Sequence, residues 1–219
     1  AIIFCSRADL DPMRQWELHN SELHRRCEKL NSLRLRRLHY SSASTGTDFT
    51  VGLMAQMRFM GGAEYLPDGI TAFNANIPSE EIFTTPMKGD AEGIVYSTRP
   101  LCYRGVMIEN FYLRFEKGRV VEFHAEKNET ALKGLLSMDD GASMLGECAF
   151  VPYSGFIGQS GILFYNTLFD ENASCHLALG QGYSSCLENF ARYTPEQAKA
   201  LGVNDSMIHE DFMIGAPDL

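Results

Sequence analysis

Apolar positions along this chain recur at two spacings, and the switches between them mark out its elements. Residues 2–5 form a continuous apolar run that predicts a short buried strand. Asp11 followed by Pro12 predicts a helix start, an N-cap with proline at the first helical position. From Pro12 to about Leu38, apolar Trp16, Leu23, Leu30, Leu33 and Leu35 predict one long amphipathic helix. The basic run Arg34–Arg37 then reads as a solvated helix end that complements the helix dipole, not as a binding patch. Beyond Tyr40 the texture turns to Ser, Thr and Gly, and Thr47–Leu53 reads as a strand. Residues 92–125 predict several antiparallel strands. The clearest is a hairpin of Ile108–Phe115 and Arg119–His124, turned at Glu116-Lys117-Gly118. Asn128 is expected to cap a helix from Glu129 to about Leu136. Thr194-Pro195-Glu196-Gln197 predicts a capping box whose helix ends at Gly202. The expected class is α+β: mixed or antiparallel sheets with flanking helices, and candidate metal ligands on strand ends and loops.

Composition narrows the possible partners. At 219 residues the chain can bury a sizeable core. A net charge of −9 argues against nucleic acid, since phosphate binding needs a basic face. No run of about 18 apolar residues exists to form a membrane-spanning helix. The six cysteines are scattered, with no CxxC pair, and read as reduced thiols of a cytoplasmic protein. The N-terminal residues carry neither a secretory signal nor an initiator Met, and Gly215–Leu219 close no recognisable element. The expectation is a piece of a longer protein.

The candidate chemistry gathers in two places. Asp170-Glu171-Asn172-Ala173-Ser174-Cys175-His176 and His209-Glu210-Asp211 bring together two imidazoles and several carboxylates. Glu81 and Glu147 lie upstream in turns marked by Pro78 and Gly146. Mixed carboxylate and imidazole donors suit a divalent cation, and four carboxylates with two histidines suffice for two ions if one carboxylate bridges them. That combination points to metal-assisted hydrolysis. His209 and Asp211 share a face if their segment is extended; alone, the tripeptide reads more readily as a surface histidine beside solvated acids. Glu81 and Glu147 are embedded in apolar sequence, which calls for a cation or a hydrogen-bonding partner, a salt bridge in the core included. HExxH is absent, because Met213 stands where a second His would be. There is no GxSxG, and Cys175 and His176 would point to opposite faces of a strand, so a nucleophilic pair is not expected. His19, His24, His39 and His124 have no acidic company at ligand spacing and read as structural.

Four segments carry a resemblance: Asn76 to Pro86, Gly146-Glu147, Thr167 to Gly180, and Asn204 to Gly215, with Gly46-Thr47-Asp48 in order before them. The chain resembles the thermophilic aminopeptidase family, which includes aminopeptidases T and S. The resemblance implies a two-metal exopeptidase acting on peptides, usually a cytoplasmic homodimer. It uses two divalent ions, zinc or cobalt, with manganese or magnesium as alternatives. Carried over by position, the ligands would be Glu81 (in preference to Glu80), Glu147, Glu171, His176, His209 and Asp211. Glu147 would be the bridge and Tyr183 the catalytic tyrosine; without the resemblance, Tyr183 reads as a packing residue. Family members are about twice this length, so residues 1–219 would be the C-terminal, metal-bearing region, without the N-terminal domain. Such a fragment is expected to be a weak catalyst at best. Two other readings stay open: a metal-binding domain without turnover, and a metal-dependent amidohydrolase or phosphoesterase of another substrate class.

Overall fold

The structure, a computed structural model, describes residues 11–66 and 68–219. The strand expected at residues 2–5 lies outside them. Helix α1 (Pro12–Ser32) starts as its sequence dictates, with the Asp11 side chain accepting from Met13 N at 3.0 Å and Pro12 in the first turn. It stops six residues short of the expected Leu38. Arg34 takes a left-handed backbone (φ 49°), and the next residues join a sheet, where Arg37 pairs with Gly52. Sheet pairing wins because Tyr40 can then bury in the main core with Leu38 packed beside it. The basic run is solvated but is no helix end: Arg34 pairs with Glu188 and Arg37 with Asp90.

The strands run β1 (Arg37–Ser42), β2 (Thr47–Gly52), β3 (Glu64–Tyr65), β4 (Ala72–Phe73), β5 (Ile82–Thr84) and β6 (Ala91–Tyr96). They continue as β7 (Leu101–Tyr103), β8 (Val106–Glu116), β9 (Arg119–Lys127), β10 (Leu145–Phe150), β11 (His176–Gly180) and β12 (His209–Met213). A six-stranded sheet has the order β1-β2-β6-β8-β7, with β9 paired to β8 as the expected hairpin. A four-stranded sheet runs β12-β11-β10-β5, and β3 and β4 form a separate short ladder. Every pairing is antiparallel.

The two large sheets face each other across one apolar core. Phe49, Val51, Phe111, Leu113 and Phe115 of the first meet Cys148, Leu177, Leu179 and Phe212 of the second. The Phe111 and Phe212 rings lie 5.7 Å apart across that interface. Helix α2 (Glu129–Leu136) adds Leu132 and Leu135. Its expected cap differs: Asn128 is left-handed and its amide donates to Met107 O, so the side chain ties the hairpin instead. A second core under α1 gathers Leu23, Cys27, Phe59, Ile82 and Leu187. Single turns at Phe156–Gln159 (α3) and Thr167–Asp170 (α4) precede β11. Helix α5 (Pro195–Leu201) has the expected capping box and ends at left-handed Gly202. Among the described residues all cysteines are free, and no helix is long and apolar enough to cross a membrane.

Candidate metal centre

The four-stranded sheet turns one face to the core and the other to a cleft of about 510 Å³. Strand alternation decides what each face carries. On β11, Leu177 and Leu179 enter the core, while His176 and Ala178 face the cleft. On β12, Phe212 enters the core, while His209 and Asp211 face the cleft, as the extended His209-x-Asp211 spacing anticipates. In β10 the register slips: Leu145 pairs with Leu179, yet Glu147 pairs with the very next residue, Ala178. The extra residue, Gly146, makes a β-bulge that lets Leu145 and Cys148 both reach the core although three apart, and turns Glu147 to the cleft. A Cβ at Gly146 would come within 2.2 Å of Gln181 O, so the bulge admits only glycine. Ala178 then sits between Glu147 and Asp211 on its two neighbouring strands, its small side chain leaving room above the sheet.

Two donor triads result. Glu81, Glu147 and His176 offer ligand atoms within 4.8 Å of one another, and so do Glu147, His209 and Asp211. Glu147 belongs to both. Glu81, immediately before β5, places Oε2 3.0 Å from His176 Nε2, whereas Glu80 turns towards His19 on α1, 3.7 Å away. His209 Nε2 lies 3.0 Å from Glu147 Oε2 and 3.4 Å from Asp211 Oδ1. Glu171 is buried in the turn after α4, close enough to the cluster for the charges of Glu81 and Asp211 to act on it. Asp170, beside it, instead accepts from Phe164 N and Asn166 N and holds that turn together.

The donor set fits divalent cations on three counts. Each imidazole presents Nε2 to the cluster while Nδ1 meets a backbone carbonyl: Gln181 O at 2.7 Å for His209 and Ser174 O at 3.3 Å for His176. A carbonyl only accepts, so Nδ1 carries a proton, which leaves Nε2 as the nitrogen whose lone pair a cation would take, the usual outer-shell arrangement of a ligating histidine. Asp211 Oδ1 is buried and makes no hydrogen bond. No Lys or Arg lines the cleft among the described residues.

The electrostatics agree. Burial pushes Glu147 up to about 7, held back by its hydrogen bond to His209. Burial, then the charges of Glu81 and Asp211, push Glu171 up to about 9. Burial opposes the charge of His209, but Asp211 and Glu147 outweigh it and raise the imidazole to about 11. His176 is raised against its own burial by Glu81. Protons are being held where like charges crowd, and cations compete for such positions.

Tyr183 stands at the rim, its hydroxyl 3.2 Å from His209 Nε2. Burial and the surrounding carboxylates raise its phenol well above the ordinary range, so it stays a hydrogen-bond donor. The other histidines lie outside the cluster. His19 and His24 bond the carbonyls of Ser79 and Ala63. Contrary to expectation, three of them do have acidic company: Glu80 beside His19, and Asp48 and Glu129 in exposed two-residue pairs with His39 and His124. Sequence reasoning missed the carbonyls of Gln181 and Ser174, because backbone groups leave no side-chain signature.

A family model described as thermophilic metalloprotease (M29) matches residues 1–219. The chain belongs to this family. It is 46% identical to Aminopeptidase 2 of Geobacillus stearothermophilus over 220 aligned positions, covering 100% of this chain and 52% of that one. It is 45% identical to Aminopeptidase AmpS of Bacillus subtilis (strain 168), covering 95% and 50%. Among solved structures, wild-type AmpT from Thermus thermophilus superimposes with a TM-score of 0.86 at 41% identity, over 94% of this chain and 50% of that one. The M29 chain described here thus spans about half the length of the curated relatives it matches.

Proposed function

We propose that this chain is the metal-bearing, C-terminal region of an aminopeptidase that removes N-terminal residues from peptides. Two divalent cations would be held by Glu81, Glu147, Glu171, His176, His209 and Asp211. The observation that carries the reading is the sharing of Glu147 by two converging triads. One carboxylate with two oxygens can serve two cations at once, the arrangement of two-metal hydrolases. Mixed O and N donors favour zinc or cobalt, with manganese or magnesium as alternatives. Divalent cations there supply polarisation of the scissile carbonyl and acidify a water molecule to a nucleophile at neutral pH.

The chain's own groups do the rest. Gln181 O and Ser174 O hold the two imidazoles in one tautomer. Tyr183 donates a hydrogen bond to the oxygen on which negative charge develops. Glu64 lines the same cleft outside the triads and offers negative charge to the substrate's α-ammonium, which favours action at a chain end. The aminopeptidase names of the relatives support the reaction class. A cytoplasmic homodimer is the form proposed for the full-length protein. The remaining half of such a protein would complete the cleft, so the present 219 residues alone should turn over poorly.

The test is elemental analysis of folded protein equilibrated with zinc or cobalt, followed by assay on leucine amide and on a phosphate ester. More than one ion per chain, with hydrolysis of the amide alone by the full-length enzyme, is expected. A folded chain that stays metal-free at about millimolar zinc would overturn the two-metal reading.

A further inference from the structure

We propose that Thr85 and Phe83 are positioning residues that seat Tyr183; the inference rests on reading Tyr183 as the oxyanion donor. Alternation along β5 decides which side chains can reach it. Ile82 packs into the core under α1, and the Thr84 hydroxyl donates to Arg58 O at 2.9 Å, so the even positions turn away from the cleft. Glu81, Phe83 and Thr85 therefore share the opposite side. Glu81 joins the donor cluster, and the other two both touch Tyr183.

Thr85 is fully buried. Its hydroxyl accepts from Tyr183 N at 2.7 Å and donates to Tyr183 O at 3.1 Å, so one side chain grips both backbone polar groups of one residue. The grip matters because Tyr183 ends the loop Gly180-Gln181-Gly182, whose glycines leave the backbone permissive. Pro86 in turn restricts Thr85 to an extended backbone, which keeps the hydroxyl on the cleft side. Phe83 adds an edge-on ring contact, centroids 5.6 Å apart and planes at 66°. Tyr183 itself is 39% exposed; Cys186 N also donates to its carbonyl at 3.1 Å and His209 meets its hydroxyl at 3.2 Å, and Thr85 and Phe83 complete the hold on the phenol. One strand thus carries a proposed ligand at its start and aims the proposed donor from its end.

The test uses full-length, metal-loaded enzyme on leucine amide. Thr85→Val should lower kcat by about 10- to 100-fold, the scale of lost orientation. KM and metal content should stay near wild type, and Thr85→Ser should keep kcat close to the wild-type value. In a Tyr183→Phe background, Thr85→Val should cost nothing further. Phe83→Leu, which keeps apolar volume, should give a smaller loss of the same kind and stands in if Thr85→Val fails to fold. A fluorotyrosine placed at position 183 should give one sharp ¹⁹F resonance in the wild-type and Thr85→Ser backgrounds. In the Thr85→Val background that resonance should shift or broaden. Wild-type kcat in Thr85→Val and Phe83→Leu, alongside a crippled Tyr183→Phe, would overturn the seat while leaving the proposed function intact. Wild-type kcat in Tyr183→Phe would overturn the donor role and, with it, the seat's catalytic meaning.

Discussion

The two faces of the four-stranded sheet are made by the same strands, one residue apart, and they are opposites. Leu177 and Phe212 are almost wholly buried against apolar neighbours. Their adjacent residues His176 and Asp211 are nearly as buried, but among groups that want protons or cations. The core face stabilises the fold, since each large apolar side chain there is worth about 1.5–3 kcal/mol of burial. The cleft face costs stability unless its charge is neutralised. Strand alternation lets the first underwrite the second without sharing a side chain with it.

This contrast can be broken most severely at Glu147. Glu147→Gln removes the group common to both triads, and should reduce metal content and lower kcat by more than any other conservative change at the centre. Elemental analysis with a leucine amide assay checks it, and full metal content with unchanged turnover would refute the shared role. Tyr183→Phe comes next. It should bind metal normally yet lose about 10²- to 10³-fold in kcat, the usual cost of one oxyanion donor. Leu177→Ala, on the core face, should reverse the pattern: a loss of about 2–5 kcal/mol in stability, with near wild-type kcat per folded molecule. Denaturant unfolding beside the amide assay separates the two.

A gentler effect is the pH dependence of the metal-free protein. Glu147 and Glu171 rise from 4.5 to about 7 and about 9 on folding, so between those values the native state binds more protons than the unfolded one. His209, raised from 6.5 to about 11, acts in the same sense. Stability should therefore fall as pH rises from about 5 to 9, and added zinc should restore more of it at the alkaline end. Calorimetry at several pH values tests this; a flat or rising melting temperature without metal would contradict it. The smallest effect is expected at His124→Gln, whose exposed pairing with Glu129 lies on the hairpin, and activity there should stay near wild type.

Much of this was legible in the sequence because local rules and tertiary needs coincided. The β8–β9 hairpin, the Thr194 capping box and the His209-x-Asp211 face all follow from short-range periodicity or turn chemistry. The end of α1 was not, because Leu33 and Leu35 continue a helical pattern while Leu38 and Tyr40 are claimed by the sheet core, a contact invisible at short range. Glu147 was recognisable as an embedded acid next to glycine. What turns it to the cleft is a slip in strand pairing that no alternation pattern announces. The seat under Tyr183 was within reach: Glu81-x-Phe83-x-Thr85 repeats at the strand period from a candidate ligand onward.

The Gly146 bulge also divides β10 into two phases. Before it, the chain keeps time with the hairpin sheet, where Met144 bridges to Arg119; after it, with β5, where Cys148 faces Thr84 and Ala149 faces Phe83. Were Gly146 instead paired as an ordinary strand residue, inside and outside would exchange along everything downstream in the strand, sending a carboxylate among Leu177 and Leu179 and a thiol into the cleft. The chemistry of the centre is therefore a matter of parity as well as of composition, and it is kept by one glycine that stands outside the count, at a place where the Gln181 carbonyl leaves no room for a side chain.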